Sequence, residues 1–198
     1  MPPIELLFAT HNAHKLREVS AIIGTRFRLL TLGDVGFDDE IPEPHPTLHE
    51  NALEKAKVLH CLFPQFNIIA EDTGLEVAAL NGAPGVMTAR YAGTGLAQDN
   101  MRLLLHNLQG STNRTAQFRT VLALIEHTGQ MHYFEGVAQG SIRTEPSGAG
   151  GFGYDPVFEP QGYSQTFAEM PDMLKNSISH RYKAIQQLSD FLQQYSTP

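Results

Sequence analysis

The run Gly148-Ala149-Gly150-Gly151-Phe152-Gly153-Tyr154-Asp155-Pro156 sets two aromatic rings and a carboxylate on a glycine-rich backbone. Glycine permits positive φ and close approach of backbone N–H groups to a ligand, and the faces of Phe152 and Tyr154 offer surfaces on which a base could stack. Gly148-x-Gly150-x-x-Gly153 formally matches a dinucleotide fingerprint, but Asp155-Pro156 and Val157-Phe158 follow where that motif must open a helix. A nucleobase pocket is the chemical reading of this run; the plain one is a surface glycine loop carrying incidental aromatics.

Three further clusters carry polar chemistry. Thr10-His11-Asn12-Ala13-His14-Lys15 connects an apolar strand to a helix, so the N–H groups and positive end of that helix, with the Lys15 ammonium, suit phosphate. Alternatively Asn12 caps the helix and Lys15 is solvated. Glu71-Asp72 closes an apolar run before Thr73-Gly74, which predicts a strand end with at least one carboxylate at the open edge of a sheet. Paired acids there hold a hard cation such as magnesium together with phosphate oxygens, or one of them takes a proton from water. Glu43 in a proline-stiffened loop, or Glu50, could complete such a site, although Glu50 also fits a capping box with Thr47. Lys175-Asn176-Ser177-Ile178-Ser179-His180-Arg181 gathers donors at the mouth of the last helix: Lys175 could meet phosphate, and His180 and Arg181 could donate to a ring acceptor such as a purine 6-oxo group. Helix capping by Ser177 is the plain alternative. No His-Glu-x-x-His, Cys-x-x-Cys or Gly-x-Ser-x-Gly pattern occurs, which argues against zinc and against acyl transfer.

The elements that must position these groups follow from periodicity. Ile4–Ala9 reads as a buried strand, and Leu16, Val19, Ile22 and Ile23 as a helix ending at Gly24. Thr47 to Glu50 opens a helix whose face is Ala52, Leu53, Ala56, Leu59 and Leu62. Strands are expected over Asn67–Ala70 and Leu75–Leu80, a helix over Gln98–Leu108, and a hairpin from Gln117–Glu126 and Met131–Ile142 across Thr128-Gly129. A last helix follows Ser177, with Ile185, Leu188, Phe191 and Leu192 inward. Strands mixed with helices imply an α/β fold with a mixed sheet.

The chain has 198 residues, 41% of them hydrophobic, enough for one globular domain or two lobes, and a single domain is expected. Its net charge of -7, with Lys and Arg scattered, argues against nucleic acid or an anionic membrane as main partner. The one cysteine, Cys61, suits a reducing compartment and is expected to be a small buried apolar residue. The apolar run after Glu5 is too short for a signal-peptide core or a membrane span, so a cytoplasmic location is expected.

Taken together and in order, several segments resemble the inosine triphosphate pyrophosphatase family: Ala9 to Lys15, Glu50-Asn51-Ala52, Ala70 to Leu75, Gly82-Ala83-Pro84-Gly85 with Ala89-Arg90-Tyr91, Gly150 to Pro156, and Ser179-His180-Arg181. The resemblance implies a long mixed β-sheet flanked by helices, in two lobes with a cleft between them. It implies magnesium-dependent hydrolysis of non-standard purine nucleoside triphosphates to the monophosphate and pyrophosphate, and commonly a homodimer. By position, Asp72 would be the catalytic acid-base residue and, with Glu43, a metal ligand. Thr10, His11, Asn12, Ala13, His14 and Lys15 would cradle the triphosphate, and Thr73 would touch substrate. Phe152, Gly153, Tyr154 and Asp155 would hold the base, Lys175 the phosphates, and His180 and Arg181 the base edge. Two stretches depart from the family pattern: His11, and the proline-rich segment from Pro42 to Thr47. Three other functions use the same residues: a non-catalytic nucleotide sensor, a pyrophosphatase for modified pyrimidine or methylated nucleotides, and a single-stranded RNA binder, the last disfavoured by acidity.

Overall fold

A computed structural model describes residues 3–194. Its strands form one seven-stranded sheet in the order β2-β1-β3-β5-β6-β7, with β4 paired to β3. The strands are β1 (Ile4–Phe8), β2 (Phe27–Leu30), β3 (Asn67–Val77), β4 (Pro84–Gly85), β5 (Thr115–Ile125), β6 (Met131–Ile142) and β7 (Phe158–Pro160). The helices are α1 (Ala13–Ile22), α2 (Leu48–Leu62), α3 (Ala97–Asn107), α4 (Asp172–Ile178) and α5 (His180–Gln194). Parallel pairs β1–β2 and β1–β3 and antiparallel pairs β3–β4 and β6–β7 make the sheet mixed, as the sequence pattern implies.

The chain divides into two compact units, each discontinuous in sequence: Met1–Asp72, Thr120–Gly136 and Arg181–Pro198 form the first, Thr73–Arg119 and Val137–His180 the second. In the first, Leu6, Phe8, Val19, Ile69, Leu122, Leu124, Ile185, Leu188 and Leu192 make a common core, so the inward faces of α1 and α5 lie where their periodicity puts them. Ile68, Ile69 and Ala70 are all fully buried, as expected for a central strand covered on both faces. In the second unit, Leu75, Val77, Leu104, Leu108, Phe118, Tyr154, Phe158 and Phe167 form the core.

The structure changes four local expectations. The strand around Glu71-Asp72 does not end there: β3 runs unbroken from Asn67 through Thr73-Gly74 to Val77, with a 3-10 turn over Ala78–Leu80 in place of the second strand's end. The two carboxylates are therefore mid-strand on opposite faces, not at a turn. Cys61 is exposed, not buried, and Leu62 on the same turn is 54% exposed. The segment after Pro171 is two helices, because Ser179 (φ -66°, ψ 158°) is extended between α4 and α5; Ser177 lies inside α4 and bonds back to Leu174 O, so it caps nothing. A strand over Phe27–Leu30, unforeseen in the sequence, forms the outer edge beside β1.

Candidate active site

In the first unit the loop after β1 is fixed by its own side chains. Thr10 Oγ1 accepts from Asn12 N at 3.1 Å, and Asn12 Oδ1 accepts from His14 N at 2.9 Å and Lys15 N at 3.3 Å. Asn12 is thus the N-cap of α1, and two of the helix N–H groups expected to face a ligand are satisfied within the loop. His11 Nε2 lies 3.0 Å from Asp39 O with its ring stacked on Phe37. His14 Nδ1 lies 2.9 Å from Arg17 Nη2, and because arginine has no acceptor the imidazole nitrogen accepts. Lys15 is not solvated alone: its Nζ stands 3.1 Å from Glu71 Oε1.

Alternation along β3 sends Glu71 toward α1 and α5 and Asp72 toward α2. Glu71 receives Arg181 in a two-pronged bond, Nε to Oε2 at 2.8 Å and Nη2 to Oε1 at 2.7 Å, and both side chains are 1% exposed. Arg181 Nη1 also bonds Glu18 on α1. Burial pushes the Glu71 carboxyl up, but the Arg181 guanidinium and the Lys15 ammonium outweigh it and hold the group below its ordinary range. The guanidinium expected at a base edge is therefore committed to two carboxylates of its own unit.

Asp72 sits in a different setting. Asn51 Nδ2 donates to its Oδ2 at 3.2 Å, and Lys55 Nζ lies 3.7 Å from Oδ1. Burial is the largest influence on its carboxyl and Glu43 adds to it; Lys55, Lys15 and the Asn51 bond oppose, and the group ends above its ordinary value. Lys55 also reaches Glu43 Oε1 at 2.5 Å. Glu43 is held in place because Asn51 pins its loop, accepting from His45 N at 2.9 Å and donating to His45 O at 3.1 Å. Glu50 is engaged with the N-cap residue, its carboxylate accepting from Thr47 Oγ1 at 2.7 Å while its N–H donates to the same oxygen at 3.2 Å. Two carboxylates bracketing one ammonium is also a donor set for a divalent ion: Glu43 and Asp72 would supply two oxygens, leaving the remaining positions of a magnesium shell to phosphate and water. Among the described residues no group of three or more His, Cys, Asp or Glu side chains could hold an ion unaided.

In the second unit the glycine run packs against its own unit. Gly148 (φ +86°) leaves no space for a side chain, since a Cβ there would lie 2.5 Å from the Ala168 carbonyl carbon. At Gly151 (φ +67°) a Cβ would meet Asp155 Oδ2 at 2.2 Å. Asp155 accepts from Phe152 N at 2.7 Å and from Lys175 Nζ at 2.8 Å, with both ionic side chains at most 5% exposed. Lys175 also lies 5.0 Å from the centre of the Phe152 ring. Lys175 is thereby held by Asp155 and Phe152 of its own unit. Tyr154 corrects the stacking expectation most clearly: it is 3% exposed, its ring belongs to the core, and its hydroxyl donates to Thr88 O at 3.0 Å. Of the two rings only the half-buried Phe152 keeps a partly open face. His180 is buried and stacked on Phe118, ring centres 4.7 Å apart and planes at 19°. Thr73 begins the second unit's part of β3.

Three side chains that shape these clusters were not foreseen, Lys55, Glu18 and Phe118, and Asn51, within the Glu50-Asn51-Ala52 stretch, carried no expected role. Lys55 had a visible signal, a cation four residues after Asn51 on the helix face that carries Ala52, Ala56 and Leu59. A separate depression of about 560 Å³ in the second unit, lined by Glu76, Gln117, Gln139, Ser141, Glu159 and Tyr163 among others, holds none of the expected residues.

Comparison with known proteins finds similarity over nearly the whole chain. A "dITP/XTP pyrophosphatase" of Porphyromonas gingivalis is 49% identical over 192 residues, covering 95% of this chain and 97% of that protein. The protein of the same description from Flavobacterium johnsoniae is 43% identical, covering 96% and 98%. Among solved structures, the Staphylococcus aureus Ham1 protein superposes with a TM-score of 0.88 at 33% identity, over 97% of this chain and all of that one. A Mycobacterium abscessus structure described as a nucleoside-triphosphatase and dITP/XTP pyrophosphatase gives 0.77 at 37% identity, covering 93% and 98%. With a family model matching residues 6–191 as well, the chain belongs to the Ham1 family.

Proposed function

We propose that this protein hydrolyses non-standard purine nucleoside triphosphates, the deoxyinosine and xanthosine forms among them, to the nucleoside monophosphate and pyrophosphate. The observation that carries the reading is Asp72: a buried carboxylate, raised above its ordinary value, set beside Glu43, Lys55 and Asn51 in a chain nearly half identical to a protein named for this reaction. A carboxyl displaced upward is better matched to taking a proton from water near neutral pH than an ordinary aspartate. In the proposed step, water adds to phosphorus as its proton passes to Asp72, and the α–β phosphoanhydride bond breaks to release pyrophosphate. Lys15 and Lys55 supply positive charge for the phosphate oxygens, and Asn51 orients the Asp72 carboxyl. A bound magnesium ion, held by Glu43 and Asp72, would polarise the phosphate and offset its charge. Within the loop of residues 10–15, Thr10 and Asn12 hold the backbone in shape, and His11, Ala13 and His14 present its outer edge to phosphate.

The base is assigned to the second unit. Phe152 supplies the stacking face, with Gly153 giving room beside it, and Asp155 and Lys175 brace that segment from below. His180 supplies a fixed donor for a 6-oxo group, and Arg181 acts through its neighbour, anchoring the start of α5. Adenine would bring a 6-amino donor against that donor, and leaving one buried polar group unpaired costs about 1–3 kcal/mol, roughly one to two decades in rate. The two units are taken to act as one enzymatic domain, in a homodimeric, cytoplasmic protein. Among the described residues no helix is long and apolar enough to cross a membrane.

A panel of inosine, deoxyinosine, xanthosine and the four ordinary triphosphates, each with magnesium, tests the base assignment. The expected kcat/KM for the 6-oxo, non-guanine bases exceeds that for adenosine triphosphate by about tenfold to a hundredfold. Equal turnover of adenosine and inosine triphosphates would remove His180 from base selection.

A further inference from the structure

The geometry points to Glu169, which lies in none of the motifs quoted from the sequence, as a positioning residue for base recognition; the inference rests on the assignment of Phe152 to Asp155 to the base. Glu169 Oε1 accepts from Ser147 Oγ at 2.5 Å, and Oε2 accepts from Thr166 N at 2.7 Å. The Thr166 hydroxyl returns a bond to Ser147 O at 2.8 Å, and Ser147 N donates to Pro156 O at 2.8 Å. One carboxylate therefore ties the start of the glycine run to the turn of residues 166–169.

That turn is the surface on which the glycine run rests. Gly150 N donates to Ala168 O at 3.0 Å, and Ala168 N to Asp155 O at 3.3 Å. At Gly148 the two backbones approach too closely for any side chain. Asp155 in turn holds Phe152 N and Lys175. The sequence of contacts is Glu169 to the 166–169 turn, the turn to Gly148, Gly150 and Asp155, and Asp155 to the ring that meets the base. Glu169 touches no reacting group. Its loss should loosen the grip on the base and leave the Asp72 centre, which lies in the other unit, unaltered.

The test compares wild type, Glu169→Ala, Ser147→Ala and Glu169→Gln in three measurements: inosine triphosphate turnover with magnesium, competitive inhibition by inorganic tripolyphosphate, and calorimetric binding of inosine monophosphate. Removal of a charge-assisted hydrogen bond at Glu169→Ala is expected to raise KM for inosine triphosphate and weaken inosine monophosphate by about tenfold. Inhibition by tripolyphosphate, which has no base, should stay within twofold or so, and kcat should fall far less than KM rises. Ser147→Ala should follow in the same direction by a smaller factor. Glu169→Gln should recover most of the loss, because a glutamine oxygen can accept from Thr166 N while its amide donates to the Ser147 hydroxyl, which can also accept. Unchanged nucleotide KM in Glu169→Ala overturns the inference, as does a glutamine variant no better than alanine. A parallel weakening of tripolyphosphate inhibition would mark a general loss of structure and also overturns it. A wild type that binds inosine monophosphate but turns over no triphosphate defeats the hydrolase reading alone, and the binding comparison still decides Glu169; a wild type that binds no inosine monophosphate defeats both.

Discussion

Replacing Arg181 alone by methionine should lower the unfolding temperature far more than replacing Arg181 and Glu71 together by apolar residues. Arg181 and Glu71 are each 1% exposed and joined by two short bonds, so Arg181→Met strands the Glu71 carboxylate in the interior beside Lys15 at 3.1 Å and takes a partner from Glu18 as well. Breaking a buried pair from one side costs about 3–5 kcal/mol, whereas replacing both partners with packed apolar groups is often near neutral. For a chain of this size each kcal/mol moves the midpoint by roughly 2–4 °C, so the single variant should melt about 6–20 °C lower. The double variant Arg181→Met/Glu71→Leu should recover part of that, since Glu18 and Lys15 each lose a partner, with a coupling of at least about 2 kcal/mol in a double-mutant cycle. Chemical unfolding followed by two probes that must coincide is the assay, since a chain of two units need not unfold in one step. Additive losses, or a single-variant loss below about 1 kcal/mol, would refute the argument that this pair is a coupled buried unit. The pair also has a pH signature. Because the folded Glu71 carboxyl is depressed, its contribution is complete above the unfolded value, about 4.3, and drains away as pH falls from there toward the lower folded value. Glu71→Gln should flatten that acid limb.

Asp72→Asn should abolish turnover while retaining binding of inosine triphosphate, and should unfold at the same or higher temperature at neutral pH. The raised carboxyl means the charged form is disfavoured in the fold, so an uncharged amide relieves a cost present above the unfolded value of about 3.9; a clear drop in stability would contradict this. Tyr154→Phe should lose about 1 kcal/mol by orphaning Thr88 O and leave base selectivity unchanged, since its ring is interior; altered selectivity by the substrate panel would return Tyr154 to the base site. Chelation by EDTA should stop turnover and shift the melting midpoint by no more than about 2 °C, because the Lys55 ammonium partners both Glu43 and Asp72. A large destabilisation on chelation would mean that an ion, not Lys55, holds those acids together.

The inward faces of helices were the most legible part of the sequence. The Thr47 N-cap and the Ala52, Ala56, Leu59 face of α2 depend on neighbours within one or two turns and form as the pattern indicates, although the Glu50 carboxylate meets the Thr47 hydroxyl and not its N–H, so the reciprocal half of a capping box is not made. The same period explains Cys61: two residues beyond Leu59 is about 200° around the helix, so composition suggested burial where periodicity directed it outward. The break read at Glu71-Asp72 failed for a different reason. Two adjacent acids before Thr-Gly look like a turn locally, but Arg181, 110 positions away, and Asn51, 21 away, satisfy them inside a strand. No window of sequence contains those partners. Tyr154 and Phe152 are two residues apart in one turn, and only the chain packed against each, Thr88 for the one and Lys175 for the other, separates a core ring from a binding face. The polar segments were found by residue type, whereas their pairing into Glu43–Lys55–Asp72 and Phe152–Asp155–Lys175 is a product of tertiary folding.

The most direct test of the central claim is the identity of the phosphorus products when deoxyinosine triphosphate is incubated with the protein and magnesium and followed by ³¹P NMR. Cleavage at the α–β bond predicts one equivalent each of deoxyinosine monophosphate and pyrophosphate, with neither formed by Asp72→Asn. Orthophosphate with the diphosphate, or undiminished turnover in Asp72→Asn, would contradict it.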